Sequence, residues 1–282
     1  MKILLLILAI LVAAAIVLIL LFNFSPAFKR TFGKYFYNWL YGLKWGKART
    51  NNYGYGPAGP EAQAQGGDEQ FQLQLYRELS LSIGDAAWQG KVVLEVGCGR
   101  GGGLRFLHGI LQTAHTHGLD FSHNAIQDCQ QTFAADKDRL HFVQGDALSL
   151  PYDRASMDIV FNVESSHIYS DQAQFLREVS RLLKPGGHFV IADYRALGEP
   201  LQRFRDDVAA AGLQPVSERN ISSEVLAACK GDSARREALI IGAAPGFARN
   251  YLREFAMTDK SKEFQHFQER YLYFIMVFQK PA

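Results

Sequence analysis

The chain has 282 residues, of which 48% are hydrophobic and 21% charged, with a formal net charge of +2. That length buries one generous core, or one core plus a small appendage, and so small a net charge argues against a nucleic acid or other polyanion as partner. Its cysteines, Cys98, Cys129 and Cys229, stand far apart with no C-x-x-C pair; this argues against a disulfide scaffold or a zinc ribbon and fits a reducing compartment.

In chain order the first feature is Ile3–Phe22, twenty residues without a charged side chain. A helix of that length rises about 30 Å, enough to cross a hydrocarbon core, and the run exceeds the roughly 7–15 apolar residues of a cleaved signal peptide. Residues 1–28 are therefore expected to form a transmembrane signal anchor. Lys29, Arg30, Lys34, Lys44, Lys47 and Arg49 all precede the first acid, Glu61, so the positive-inside rule predicts a single-pass protein whose large C-terminal part faces the cytoplasm. Phe32, Tyr35, Phe36, Tyr37, Trp39, Tyr41 and Trp45 are interleaved with those cations. Such a stretch suits a helix at a membrane surface, one packed on the globular part, or both at once. Residues 29–68 thus read as a basic, aromatic juxtamembrane segment and linker. Its end, Asn51–Gly67, is a loop by composition, and its "NNYGYG" segment is suited to fold over a ligand.

From residue 69 to 282 helical and strand-like stretches alternate. Gln70–Ile83 has helical spacing. Lys91–Val96 is a short β-branched run, hence a buried parallel strand. A helix over Gly102–Gln112 leads to a second strand, "HTHGLDFS", ending in an acid. A helix over Asn124–Ala135 leads to a third, "RLHFVQGDA". Met157–Ser165 is a fourth strand, Asp171–Leu183 a helix stopped by "KPGG", and "HFVIADY" a fifth strand. Alternation of this kind predicts an α/β, doubly wound parallel sheet. Beyond Arg195 the pattern turns helical, apart from a possible sixth strand at "LQPVSERNI" and a closing strand, "RYLYFIMVFQK", apolar on both faces. A helical substrate-side insertion is expected at about 200–262.

The chemistry concentrates in "VVLEVGCGRGGG", Val92–Gly103. Gly97, Gly99 and Gly102 satisfy G-x-G-x-x-G, a weak signal for a dinucleotide. Ligands of open parallel sheets sit beyond the C-terminal strand ends, where this chain places Glu95, Asp120 and Asp146. A pyrophosphate on the helix N-terminus would meet an unfavourable acid in Glu95. S-adenosylmethionine carries an ammonium, a sulfonium, a ribose and an adenine but no phosphate, and suits three acids better. The ordered set "VLEVGCGRGG", Asp120, "GDALSLPY" and "LLKPGG" resembles class I S-adenosylmethionine-dependent methyltransferases over Lys91–Tyr194. "LEVGCGRGGG" with "FNVESSHIYSD" is similar to the phthiotriol/phenolphthiotriol dimycocerosates methyltransferase group of lipid O-methyltransferases. The resemblance implies a Rossmann-like seven-stranded sheet. It also implies that Glu95, Gly97, Cys98, Gly99 and Asn162 surround the methionine moiety, Asp120 and Phe121 the ribose, and Asp146 and Ala147 the adenine.

Methyl transfer to an alcohol needs a group to take the hydroxyl proton. His167 and Glu164, in "ESSHIY" after the fourth strand, are the candidates, with an imidazole well matched to neutral pH. Tyr169 reads as wall. His115 and His117 lack metal-like partners, so no metal is expected. The reading that follows is a membrane-anchored S-adenosylmethionine-dependent O-methyltransferase of a lipophilic acceptor (lipid, polyketide or fatty-acid derivative). Methylation at carbon or nitrogen of a quinone, sterol or phospholipid is the second reading, and a noncatalytic membrane scaffold the third.

Overall fold

The computed structural model describes residues 25–43 and 48–282. Among these, seven strands form one sheet in the order β3-β2-β1-β4-β5-β7-β6: β1 (Val92–Val96), β2 (His115–Asp120), β3 (Leu140–Gln144), β4 (Met157–Val163), β5 (Leu183–Ala196), β6 (Gln214–Asn220) and β7 (Tyr271–Gln279). Strands β1 to β5 pair in parallel. The closing strand departs from the all-parallel expectation: β7 runs antiparallel to both neighbours, Ala192 opposite Ile275 on one side and Arg219 opposite Ile275 on the other. Its insertion between β5 and β6 explains why "YLYFIMVFQ" is apolar on both faces. β6 is left as an edge strand, exposed along its whole length, and its Pro215, Glu218 and Arg219 are side chains that discourage edge-to-edge pairing.

Helices cover both faces. One core packs α3 (Gln70–Leu81) and α4 (Gly102–Leu111) against Phe161 and Trp88, and the opposite core packs α6 (Gln172–Leu182) and α7 (Glu199–Ala210) against Phe189 and Phe274. Each such fully buried aromatic or aliphatic side chain contributes roughly 1.5–3 kcal/mol. Asp171 caps α6 by accepting the Gln174 N–H at 2.8 Å, which fixes where the chain turns back after β4. The helix α7 is part of this framework, so the helical insertion proper begins after β6. It comprises α8 (Ser222–Gly231), α9 (Ser233–Ala243), α10 (Gly246–Phe255) and α11 (Lys262–Arg270).

The expected anchor, Ile3–Phe22, lies outside the described residues, as do Lys44, Trp45 and Lys47. Among the described residues no helix is long and apolar enough to cross a membrane, and the single-pass topology with a cytoplasmic catalytic part is corrected on that finding. Part of the basic, aromatic segment is a helix, here αN (Pro26–Gly42), docked on the domain, one of the placements its sequence suits. Asn38 accepts from Ser122 Oγ at 3.0 Å and Asn124 N at 3.3 Å, and Leu40 is buried with Ile240, Ala248 and Leu252 of the insertion. The segment read as a linker is also ordered by the domain, through a short helix at Pro60–Gly66 and the Tyr55 N–H donated to Phe71 O at 2.9 Å.

Candidate active site

The strand order reverses between β1 and β4, and loops leaving these strands diverge to opposite faces. A cavity of about 680 Å³ opens there, within the range of small-molecule sites. Gly97, Cys98, Gly99, Asp120, Phe121, Asp146 and Ala147 all line it, together with Leu119, Leu148 and Tyr41. The glycine turn is built as a cradle. Gly97 has φ +82°, and a Cβ there would lie 2.2 Å from Ser165 Oγ; at Gly103 a Cβ would lie 2.0 Å from the Tyr76 ring. Turn and helix start therefore require these glycines for close approach as well as for backbone freedom. Asp120 accepts the Gly99 N–H at 2.9 Å and the Ser122 N–H at 2.8 Å. Burial pushes its carboxyl up, against those backbone donors. Asp146 accepts the Leu148 N–H at 3.0 Å, shaping the turn after β3.

Glu95 and Asn162 belong to the layer behind the cavity wall. Asn162 donates to Val96 O and to Ser165 Oγ, both at 2.7 Å, and accepts the Ser166 N–H at 3.1 Å. It thereby ties the end of β1 to the loop after β4. Glu95 is fully buried; its Oε1 accepts the Tyr76 hydroxyl at 2.7 Å while Oε2 has no hydrogen-bond partner. Burial raises its carboxyl to about 8, opposed by the Tyr76 bond and reinforced by Asp120. The glycine cradle, with Asp120 and Asp146 on the cavity wall, is a donor and acceptor set that fits an amino-acid nucleoside.

The raised value has a consequence for stability. Between pH 5 and 8 the folded chain holds a proton on Glu95 that the unfolded chain has released, so stability falls as pH rises, by up to roughly 1.4 kcal/mol per pH unit. Glu95→Gln keeps the acceptor for Tyr76 and is expected to remove the Glu95 share of the decline in ligand-free protein, leaving that of Glu164. Urea unfolding across this pH window checks it; a wild-type slope in the variant contradicts it.

A smaller chamber of about 120 Å³ adjoins the cavity and shares with it Tyr37, Tyr41, Thr50, Asn51, Arg100, Glu164, His167, Tyr194 and Phe255. His167 stands on the short 3-10 turn after β4. Its Nδ1 lies 2.7 Å from Asp193 Oδ1, and its backbone N–H donates to Asp193 Oδ2 at 3.1 Å. Ser166 Oγ donates to the same oxygen at 2.7 Å, and Arg195 Nη1 lies 3.0 Å from it. Burial works against charge on Asp193, but Arg195, His167 and Ser166 prevail and hold its carboxyl well below the usual range. With an ionised acid on Nδ1, the imidazole keeps its proton on that side, and Nε2 is an acceptor. Nε2 lies 3.2 Å from the Tyr194 hydroxyl, a phenol that burial and Asp193 keep protonated.

Glu164, the other candidate for taking the proton, lines both the cavity and the chamber. It adopts φ +44° and its Oε1 accepts the Tyr53 N–H and the Tyr273 hydroxyl, each at 2.7 Å. Burial raises it to about 8, against those two bonds. Its partner Tyr53 lies in "NNYGYG", which does pass over the site: Arg236 Nη2 donates to Tyr53 O at 2.6 Å, and the Tyr53 ring stacks on Tyr194 with centroids 5.8 Å apart. Asp193, Tyr194 and Tyr53 were not singled out from sequence. The rule that selected Asp120, an acid at the end of an apolar strand, applies equally to Asp193 in "HFVIADY".

A parallel sheet with an antiparallel penultimate strand, and a nucleoside-sized cavity at its switch point, define the class I methyltransferase fold. Residues 94–191 match the family model for a methyltransferase domain. The chain is 34% identical over 215 residues to the fatty-acid O-methyltransferase of Mycolicibacterium smegmatis, covering 75% of this chain and 76% of that protein. It is 42% identical over 166 residues to the phthiotriol/phenolphthiotriol dimycocerosates methyltransferase of Mycobacterium tuberculosis. That match covers 59% of this chain and spans 60% of the relative's length. Among solved structures, the cyclase SpnF superposes with a TM-score of 0.67 at 18% identity, covering 88% of this chain and 96% of that one. Geranyl diphosphate C-methyltransferase from Streptomyces coelicolor A3(2) superposes with 0.61 at 15% identity, covering 86% and 98%. These two likenesses concern the fold alone, which carries different chemistries. The chain belongs to the S-adenosylmethionine-dependent methyltransferases, and S-adenosylmethionine is the cofactor of that family.

Proposed function

We propose that the chain methylates a hydroxyl oxygen of a lipophilic acceptor. The observation that carries this reading is the His167–Asp193 pair at 2.7 Å, facing the chamber beside the cavity. The bound cofactor supplies a methyl group on a sulfonium, whose departure as a neutral thioether needs no acid. Asp120 and Asp146 would hold the nucleoside and the glycine turn its amino-acid end, with Glu95 in the layer behind that turn. His167 takes the acceptor's hydroxyl proton on Nε2, in exchange for the Tyr194 phenol. Asp193 stabilises the imidazolium and fixes its ring, so the reacting groups meet in one orientation. Tyr37, Leu40, Leu252 and Phe255 give the chamber an apolar side for a lipid body. The names of the two mycobacterial relatives, one acting on phthiotriol lipids and one on fatty acids, agree with this acceptor class.

The test uses cofactor labelled in its methyl group and matched lipids with and without a hydroxyl. Label is expected in the hydroxylated member alone, as an O-methyl. Label on carbon or nitrogen, or equal label in both, contradicts the proposal.

A further inference from the structure

The small chamber has an unusual charge balance. Arg100, Arg235 and Arg236 all line it. Behind them Asp128 takes both Arg100 and Arg49, and Asp232 takes both Arg235 and Arg236. Four guanidiniums thus share two carboxylates. Among the described residues the one carboxyl on the chamber wall is Glu164, held largely protonated at neutral pH by burial.

Two of the lining residues also carry buried donors without a partner. Arg100 donates from Nε to Asp128 at 3.3 Å, yet its Nη1 has no hydrogen-bond partner. Asn52 Oδ1 accepts the Gly54 N–H at 2.9 Å, which fixes the amide, and its Nδ2 is likewise unpaired. Orphaned buried donors are costly, by about 1–3 kcal/mol each and more when charged, and native interiors rarely leave them. Arg236 differs, its guanidinium being engaged by Tyr53 O, Ala256 O and Asp232. The opposite wall, Leu40, Leu239, Ile240, Leu252 and Phe255, is apolar.

We propose that this chamber recognises a carboxylate on the acceptor, with Arg100 and Asn52 donating to its oxygens and the apolar wall holding an alkyl body. The acceptor is then a hydroxylated long-chain acid whose hydroxyl, not its carboxylate, is methylated at His167. The inference rests on the O-methyltransferase reading and adds to it the charged group that selects the substrate. Arg100 and Asn52 act in specificity and take no part in the proton transfer.

The experiment compares wild-type enzyme, Arg100→Met and Asn52→Asp on a hydroxylated fatty acid and on its neutral methyl ester. Wild type is expected to favour the acid by about 10- to 100-fold in kcat/KM, the range for hydrogen bonds to a charged group. In Arg100→Met the preference collapses towards one, chiefly through a raised KM for the acid. Asn52→Asp sets a like charge against the carboxylate and lowers the preference independently, so one poorly folding variant does not stop the test. Cofactor titration of each variant separates damage to the glycine turn from loss of acid recognition. An acid preference that persists in both variants overturns the proposal, as does a wild type that favours the ester. A methyl ester formed from the acid overturns it too, because the carboxylate would then be the nucleophile. If wild type methylates neither substrate, the O-methyltransferase reading fails; calorimetric binding of the acid to wild type and not to Arg100→Met still reads the recess by itself.

Discussion

Replacing Asp193 by Asn is expected to lower kcat about 100- to 1,000-fold, within the usual contribution of a positioned general base, while the KM for S-adenosylmethionine changes only a few-fold. Asp193 is a positioning residue. It touches neither cofactor nor acceptor, and acts by holding His167 Nδ1 at 2.7 Å with an ionised carboxylate. Without that charge the imidazolium formed as the proton is taken is less stable, so the loss falls on kcat. A purely structural role would instead raise both KM values or lower the yield of folded enzyme. His167→Ala should show a loss at least as large.

The second large effect is expected at Asp120. Asp120→Ala should raise the dissociation constant for S-adenosylmethionine about 100-fold or more. A carboxylate bonded to both ribose hydroxyls supplies two charge-assisted hydrogen bonds, each worth about 1.5–3 kcal/mol. The same substitution deprives the Gly99 and Ser122 N–H groups of their acceptor, so the glycine turn loses its tie to the end of β2. At saturating cofactor kcat should recover most of its value, because Asp120 is remote from the proton transfer. Steady-state kinetics in varied cofactor checks the split; an unchanged cofactor KM would contradict it.

The parts of this molecule visible in its sequence were those carried by local pattern. The parallel strands announced themselves as short β-branched runs ending in acids or glycines. Of the cavity-lining residues, Gly97, Cys98, Gly99, Asp120 and Asp146 stand at those ends, whereas Phe121 and Ala147 are implied by the resemblance to class I methyltransferases. What was not visible depends on partners distant in sequence. Asp193 meets His167 from 26 residues away on another strand. Glu164 stands three residues from His167 in sequence, yet its carboxyl is taken by Tyr53 and Tyr273, more than a hundred residues away on either side. Strand direction was hidden as well, since a fully buried strand reads as an apolar run whether β7 is parallel or antiparallel. The segment 29–43 shows a further ambiguity: the same aromatic and cationic residues suit a membrane surface or a protein one, and Asn38 and Leu40 are used here to dock αN on the domain.

A crystal structure with bound S-adenosylhomocysteine tests most directly whether one cavity holds the cofactor with its sulfur directed at the chamber containing His167. The expected result is the amino-acid end over Gly97, the ribose hydroxyls on Asp120, the adenine beside Asp146 and Ala147, and the sulfur facing the shared mouth lined by His167 and Tyr194. A nucleoside bound away from Asp120, or a sulfur facing away from that chamber, would contradict it.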